Sequence, residues 1–335
     1  MRTFSCFSGR RAAIAALPAF LVVAGCSPIG GVKITAVPAD QSLKERMVYR
    51  HPGWVSNRIA VIDISGVLMN AHKPGLLSEG EQVVSFVVEK LDKAASDKRV
   101  KAVVLRINSP GGTVTASDIL YQEIVAFKKK TGKPVVAYFQ DVAASGAYYL
   151  ACAADELIAQ RTCVTGSIGV IMQMVDVSGA MAKLGISGDA IKSGPFKDAG
   201  SPLREMRAGE RAVFQAMVDD FYHRFIAVVD AGRPNLDREQ IVKLADGRVY
   251  TADQALEAGL IDRIGTIHDA VEAAKKRAGI TAAHVVMYRR PATWAPNVYA
   301  RAPRTGGATL NFFNISLPFY WTSRPRFMYI WDVGK

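Results

Sequence analysis

Val100-Lys101-Ala102-Val103-Val104-Leu105-Arg106-Ile107-Asn108-Ser109-Pro110-Gly111-Gly112 is the stretch on which the fold turns. Its first eight residues are almost all apolar, as a strand covered on both faces requires, and they run straight into a Pro-Gly-Gly turn. Upstream, Ile59–Ile64 reads as another strand, and Val83, Val84, Val87, Val88, Leu91 and Ala95 form a stripe at helical spacing. Downstream, Ala116, Ile119, Leu120, Ile124 and Phe127 mark one side of a helix. It closes with Lys128–Lys130 and Gly132, cations and a glycine being suited to a helix C-terminus. Val135–Phe139 is a third strand, Leu157–Ala159 a short fourth, and helices are expected over 208–231, 252–258 and 267–278. Strands alternating with helices predict an α/β fold with a mostly parallel sheet and flanking helices.

The ends of the chain differ from this middle. Arg2, Arg10 and Arg11 precede an apolar run, Ala12–Val23, that is too short to span a bilayer but suits a signal-peptide core. Val23-Ala24-Gly25-Cys26 has the shape of a lipobox, an ordinary secretory signal being the alternative. On the first reading residues 1–25 are a lipoprotein signal and Cys26 carries lipid, several acyl chains giving a stable anchor. Residues 26–56 read as a linker, 57–288 as the folded domain, and 289–335 as a basic, aromatic extension. The net charge of +12 sits mostly at the two ends, as suits an anionic membrane surface. With no nucleic-acid motif present, nucleic acid is excluded as a partner. Cys152 and Cys163 remain as two core cysteines, unpaired or bridged, and no metal-ligand spacing accompanies them.

Two strand-to-helix junctions carry the candidate chemistry. Asn108–Gly112 places paired glycines before a helix, which exposes backbone amides that could hold an oxyanion, although the glycines taken alone favour a plain tight turn. At the second junction Ser145 stands between Ala144 and Gly146, small neighbours that permit a sharp elbow projecting the hydroxyl. The Gly146 amide is a candidate second oxyanion donor, and a helix N-cap is the competing reading of the serine. A serine nucleophile needs a base. None of His51, His72, His223, His268 and His284 has a recognisable catalytic setting, which leaves the lysines of Ile191–Asp198. Lowering a lysine pKa by about three units means disfavouring its charged form by about 4 kcal/mol, which desolvation can supply.

Asn108–Gly112, Ala144–Tyr149, Thr165–Val170, Ser193–Asp198 and Asp246–Tyr250 occur in this order, and together they resemble the bacterial signal peptide peptidase A family. The resemblance covers about 58–276. It implies a serine–lysine endopeptidase with the Clp-protease/crotonase-like spiral of ββα units, in its short single-copy form. It assigns Ser145 as nucleophile, Lys197 rather than Lys192 as general base, and Ser167 as the residue that positions the lysine. It implies hydrophobic peptide substrates such as remnant signal peptides, no cofactor, and a bacterial envelope location facing the extracytoplasmic side. It also implies a cyclic homo-oligomer, an octamer, in which the base comes from a neighbouring subunit. Familiar members carry a transmembrane helix where this chain has a lipobox.

Three other readings compete. An acyl-CoA enzyme of the same fold is excluded by export and needs no serine elbow. A Ser-His-Asp triad lacks its histidine. A lipoprotein scaffold without catalysis has no reason to keep Ser145, Ser167 and Lys197 together.

Overall fold

The computed structural model describes residues 42–70, 82–290 and 327–331. The chain begins with β1 (Lys44–Tyr49), β2 (Arg58–Ser65), α1 (Val83–Ser96), β3 (Val100–Ser109), β4 (Gly111–Thr113), α2 (Val114–Thr131) and β5 (Val135–Ala144). It continues with α3 (Gly146–Ala151), β6 (Glu156–Ala159), β7 (Val164–Gly166), β8 (Ile171–Met172), α4 (Ser178–Lys183) and α5 (Ala208–Gly232). Last come α6 (Arg238–Leu244), β9 (Val249–Thr251), α7 (Ala252–Glu257), β10 (Arg263–Ile264), α8 (Ile267–Arg277), β11 (His284–Arg289) and β12 (Phe327–Ile330).

The main sheet runs β1-β11-β2-β3-β5-β6-β10, with β7 on the far half of β5 and β9 beside β7. Every neighbouring pair is parallel except β1 with β11 and β7 with β9. The apolar runs read as buried strands sort by side. Ala60, Ile62, Val103, Leu105 and Ile107 join a core with α1, α2, α3 and α5, while Ile59, Val61, Ala102 and Val104 face Ile267, Ala270 and Ala274 of α8. Both faces are covered, which is why these strands lack polar alternation. The Thr113 side chain accepts from the Ala116 N–H at the start of α2, and Gly132 ends the helix in the left-handed region at φ 67°.

β5 runs five residues beyond the expected Phe139, because two partners share its length: β6 takes Val136–Phe139 and β7 takes Val142–Ala144. That extension carries the chain to Ser145. Cys152 and Cys163 are both free and buried, and burial pushes each thiol up to about 12. Within the stretch read as a linker, residues 44–49 instead form an edge strand on β11, anchored by buried Leu43. Within the stretch read as an extension, β12 forms the middle of a separate small sheet, β4-β12-β8, antiparallel to both neighbours. Cys26 and His72 lie outside the described residues.

Leu105 is fully buried at the centre of β3, whereas Leu256 is 39% exposed on α7. Leu105→Ala should lower the unfolding free energy by about 2–5 kcal/mol and Leu256→Ala by about 0.5 kcal/mol or less, read from urea denaturation.

Candidate active site

Both junctions lie at the ends of adjacent parallel strands, β3 and β5. Their register shifts between Ile107 and Ser109, so that Ser109 faces Ala143, and the two turns arrive side by side. In the first turn Gly111 has φ 98°, a conformation that favours glycine. The glycine strand β4 is clamped by Leu68, whose N–H donates to Gly111 O and whose O accepts from Thr113 N–H, both at 2.8 Å. A methyl group on Gly112 would lie 1.9 Å from the Leu68 oxygen, and one on Gly111 would lie 2.7 Å from Gly146 N. Backbone therefore packs on backbone here, and glycine is the residue that permits it.

In the second turn Ser145 adopts φ 54°, ψ −118°, immediately before α3. A non-glycine residue in this region costs about 1–3 kcal/mol and persists when its surroundings over-determine it. They do so here. The Ser145 N–H donates to Gly166 O at 2.7 Å, and the Ser145 O accepts from Tyr149 N–H at 2.8 Å. Beside it, Thr165 Oγ1 donates to Ala143 O, tying β7 to β5. The side chain makes no N-cap hydrogen bond, which removes the competing reading of this serine. Ser145 is 1% exposed, and its Oγ has no hydrogen-bond partner among the described residues. A methyl on Gly146 would fall 3.2 Å from Gly112 N, so the two turns present neighbouring amides next to that hydroxyl.

The lysine loop is built differently. Lys192 Nζ donates to Asp198 Oδ2 at 2.6 Å, and Arg204 Nε donates to the same oxygen at 2.9 Å. Arg204 in turn reaches Glu210, which is 1% exposed at the start of α5. Lys192 is thus held in an ion pair. Lys197 is exposed and makes no side-chain hydrogen bond or ion pair among the described residues. Since the Ser145 hydroxyl has no partner, the two are not hydrogen-bonded within this chain. Ser167 is 7% exposed at φ 49°, following Gly166, and its N–H donates to Arg248 O in the Asp246–Tyr250 motif. Among the described residues no histidine bonds Ser145, and no cluster of metal-ligating side chains occurs.

Sequence patterns did not reveal Leu68, whose contribution is entirely backbone, or the contacts around Tyr149. The Tyr149 hydroxyl donates to Asp118 Oδ1 at 2.6 Å, and its ring stacks on that of Tyr329 from β12. Tyr149 had a signal, its place in the Ala144–Tyr149 motif. Tyr329 had none, for nothing in the local pattern around it marks a strand.

The model of peptidase family S49 matches residues 127–281, and that of Clp protease matches residues 59–187. A putative signal peptide peptidase SppA of Enterococcus faecium is 34% identical over 83% of this chain and 82% of its own length. A putative protease of Synechocystis is 38% identical over 70% of this chain and 79% of its own. Protease 4 of Haemophilus influenzae is 34% identical over 66% of this chain but only 35% of its own length.

The Asp198 carboxyl is held well below the ordinary carboxylate range, by Arg204 first and by Lys192 second. A group whose folded pKa is depressed stabilises the fold above its unfolded pKa, near 4, and loses that contribution as pH falls through the lower folded value. Asp198→Asn should therefore be less stable than the parent at neutral pH. The gap should narrow as pH is lowered below about 4, followed by thermal unfolding across a pH series.

Proposed function

The chain belongs to peptidase family S49 and is a serine protease, and we propose that it is a membrane-tethered endopeptidase with Ser145 as nucleophile and Lys197 as general base. Its substrates on this reading are hydrophobic peptides such as remnant signal peptides. The observation that carries the proposal is the elbow: Ser145 strained at φ 54°, its hydroxyl unpartnered, beside the amides of Gly112 and Gly146.

In this mechanism Ser145 Oγ attacks the scissile carbonyl carbon while a neutral Lys197 amine takes the hydroxyl proton. The carbonyl oxygen gains charge and accepts hydrogen bonds from the backbone donors of the glycine turn and Gly146, each worth about 10²–10³ in rate. Lysine then passes the proton to the leaving amine, and water attacks the acyl-enzyme by the same route. Ser167 positions the lysine amine. Gly111 keeps the turn in the conformation that aims the amides.

A lysine base must be kept neutral, and burial among apolar groups does this. In one protomer Lys197 is exposed, as are Ile171, Leu184, Ile186, Ile191, Phe196 and Leu203 on the same segment of chain. An apolar surface around an unpaired lysine, far from the requirements of a buried base, supports self-association, and the family resemblance makes the assembly a cyclic homo-oligomer, an octamer. Head-to-tail contacts there cover this segment and bring Lys197 to the Ser145 of a neighbour. Among the described residues no helix is long and apolar enough to cross a membrane. The tether in this proposal is lipid on Cys26, on the extracytoplasmic side of a bacterial envelope.

Ser145→Ala and Lys197→Ala should each lower kcat on a hydrophobic peptide by at least ~10³-fold with folding unchanged by circular dichroism. Residual wild-type turnover in either would refute the dyad. The parent should gain activity toward alkaline pH, as a base that must lose a proton requires. Cys26→Ser should leave hydrolysis of a soluble peptide intact and move the protein from the membrane fraction to the soluble one. Mass spectrometry of the mature N-terminus is the direct check, and an unmodified residue there would end the lipid reading.

A further inference from the structure

Between Ile168 and Glu210 no residue is buried, so the stretch that carries Lys197 has no core of its own in one protomer. Its order is polar. Lys197 lies in a run of turns: its N–H donates to Gly194 O at 3.2 Å, Ala199 N–H to Phe196 O at 3.0 Å and Ser201 N–H to Asp198 O at 3.0 Å. Backbone hydrogen bonds with no buried apolar contacts beneath them open at little free-energy cost unless something else holds them.

Arg204 holds them. A guanidinium carries five N–H donors in one rigid plane, and here each is used. Nε donates to Asp198 Oδ2 at 2.9 Å, Nη1 to Glu205 O and Glu210 Oε2 at 3.0 Å each, and Nη2 to Asp198 O at 3.1 Å and Glu210 Oε1 at 2.6 Å. The residue after Lys197 is thereby gripped by both side chain and main chain. Arg207 acts on the other side, its Nη1 donating to Pro195 O at 3.1 Å. The two arginines converge on Glu210, whose Oε2 also accepts from the Arg207 N–H at 3.3 Å. Glu210 lies in the first turn of α5, where the helix dipole favours a negative charge. Arg204 holds its carboxyl below the ordinary value, so the pair is ionic at neutral pH. The far end of α5 plants Phe225, Ile226, Val228 and Val229 in the main core, which ties the network to the rest of the fold.

A buried ion pair is by itself weak evidence of a role beyond folding. What singles this one out is what it grips: apart from Glu205 beside Arg204, the arginines hold Pro195 and Asp198, both within two residues of Lys197, while the Lys197 side chain stays outside the network. We propose that Glu210 is a positioning residue of the proteolytic site, acting through the Arg204 fork to fix the main chain at Lys197 and so the place to which its amine is delivered. This rests on Lys197 being the general base, and it holds whichever subunit supplies the serine. Glu210 does not touch the reacting atoms. Its effect comes from the steepness with which rate falls on misplacement, on the order of 10²-fold for about 1 Å.

The test uses the full chain and one hydrophobic peptide, with rates taken per mole of protein whose mass and circular dichroism match the parent. Glu210→Gln keeps the shape of the side chain but removes its charge and one acceptor facing Arg204. Its kcat should fall by about 10²-fold with KM within about twofold. Arg204→Lys keeps the charge and loses the fork, and should lower kcat at least about tenfold in the same way. Because the effect runs through the lysine, Glu210→Gln should change the residual rate of a Lys197→Ala protein by less than about twofold. Parent-like kcat in both variants, a rise in KM at constant kcat, or an equal loss in the Lys197→Ala background would overturn the positioning role. If Glu210→Gln does not fold, Arg204→Lys carries the same comparisons, and unfolding of both would mark the network as structural and overturn the role as well. Wild-type turnover in Lys197→Ala would sink the base and this role with it. Parent-like turnover in Glu210→Gln beside an inactive Lys197→Ala would sink this role alone.

Discussion

Everything at this site depends on two backbone turns approaching closer than side chains allow. A single methyl group on Gly112 would collide with the Leu68 backbone, one on Gly111 with the Gly146 nitrogen, and one on Gly146 with the Ser117 hydroxyl. The approach is imposed by neighbouring parallel strands, β3 and β5, whose register slips just before their ends. The serine in the second turn is then forced into a region that its own side chain disfavours. The surrounding sheet, covered on both faces, holds the strain in place.

That arrangement is complete in what it offers a carbonyl and incomplete in what it offers a serine. The amides, the buried hydroxyl and the pocket of Tyr149 are rigid parts of one core. The lysine loop is outside it, with Lys192 before and Asp198, Arg204 and Glu210 after bracing the chain around an exposed Lys197. If Lys197 is the base, as proposed, it must be dry to be neutral, and its exposed place in one protomer does not make it so. The proposed division of the dyad between subunits would solve two problems together: association would desolvate the amine and supply it to a hydroxyl that has no partner among the described residues. It would also tie activity to assembly.

Much of this was legible from residues. The buried strands announced themselves because apolar side chains on both faces leave an unbroken run, and α1 and α2 because their stripes keep helical spacing. β1 was not legible: its partner β11 lies some 240 positions away, and Lys44–Tyr49 is a half-exposed edge. β12 was hidden for a similar reason, since its identity comes from β4 and β8 and not from its own four residues. Ser145 could be nominated from its small neighbours. Choosing Lys197 over Lys192 needed the family resemblance, because spacing treats them alike, whereas the fold separates them by giving Lys192 an acidic partner.

The claim at the centre is that serine and lysine of one active site come from different chains. The decisive measurement is complementation: Ser145→Ala and Lys197→Ala proteins are purified separately, mixed under conditions in which subunit exchange is verified by mass, and assayed on one peptide. Each chain then supplies what the other lacks at mixed interfaces, so activity should reappear at a fraction of the parent's that tracks the proportion of mixed interfaces. Verified exchange with no recovered hydrolysis, or full activity in a parent protein held monomeric, would contradict the account.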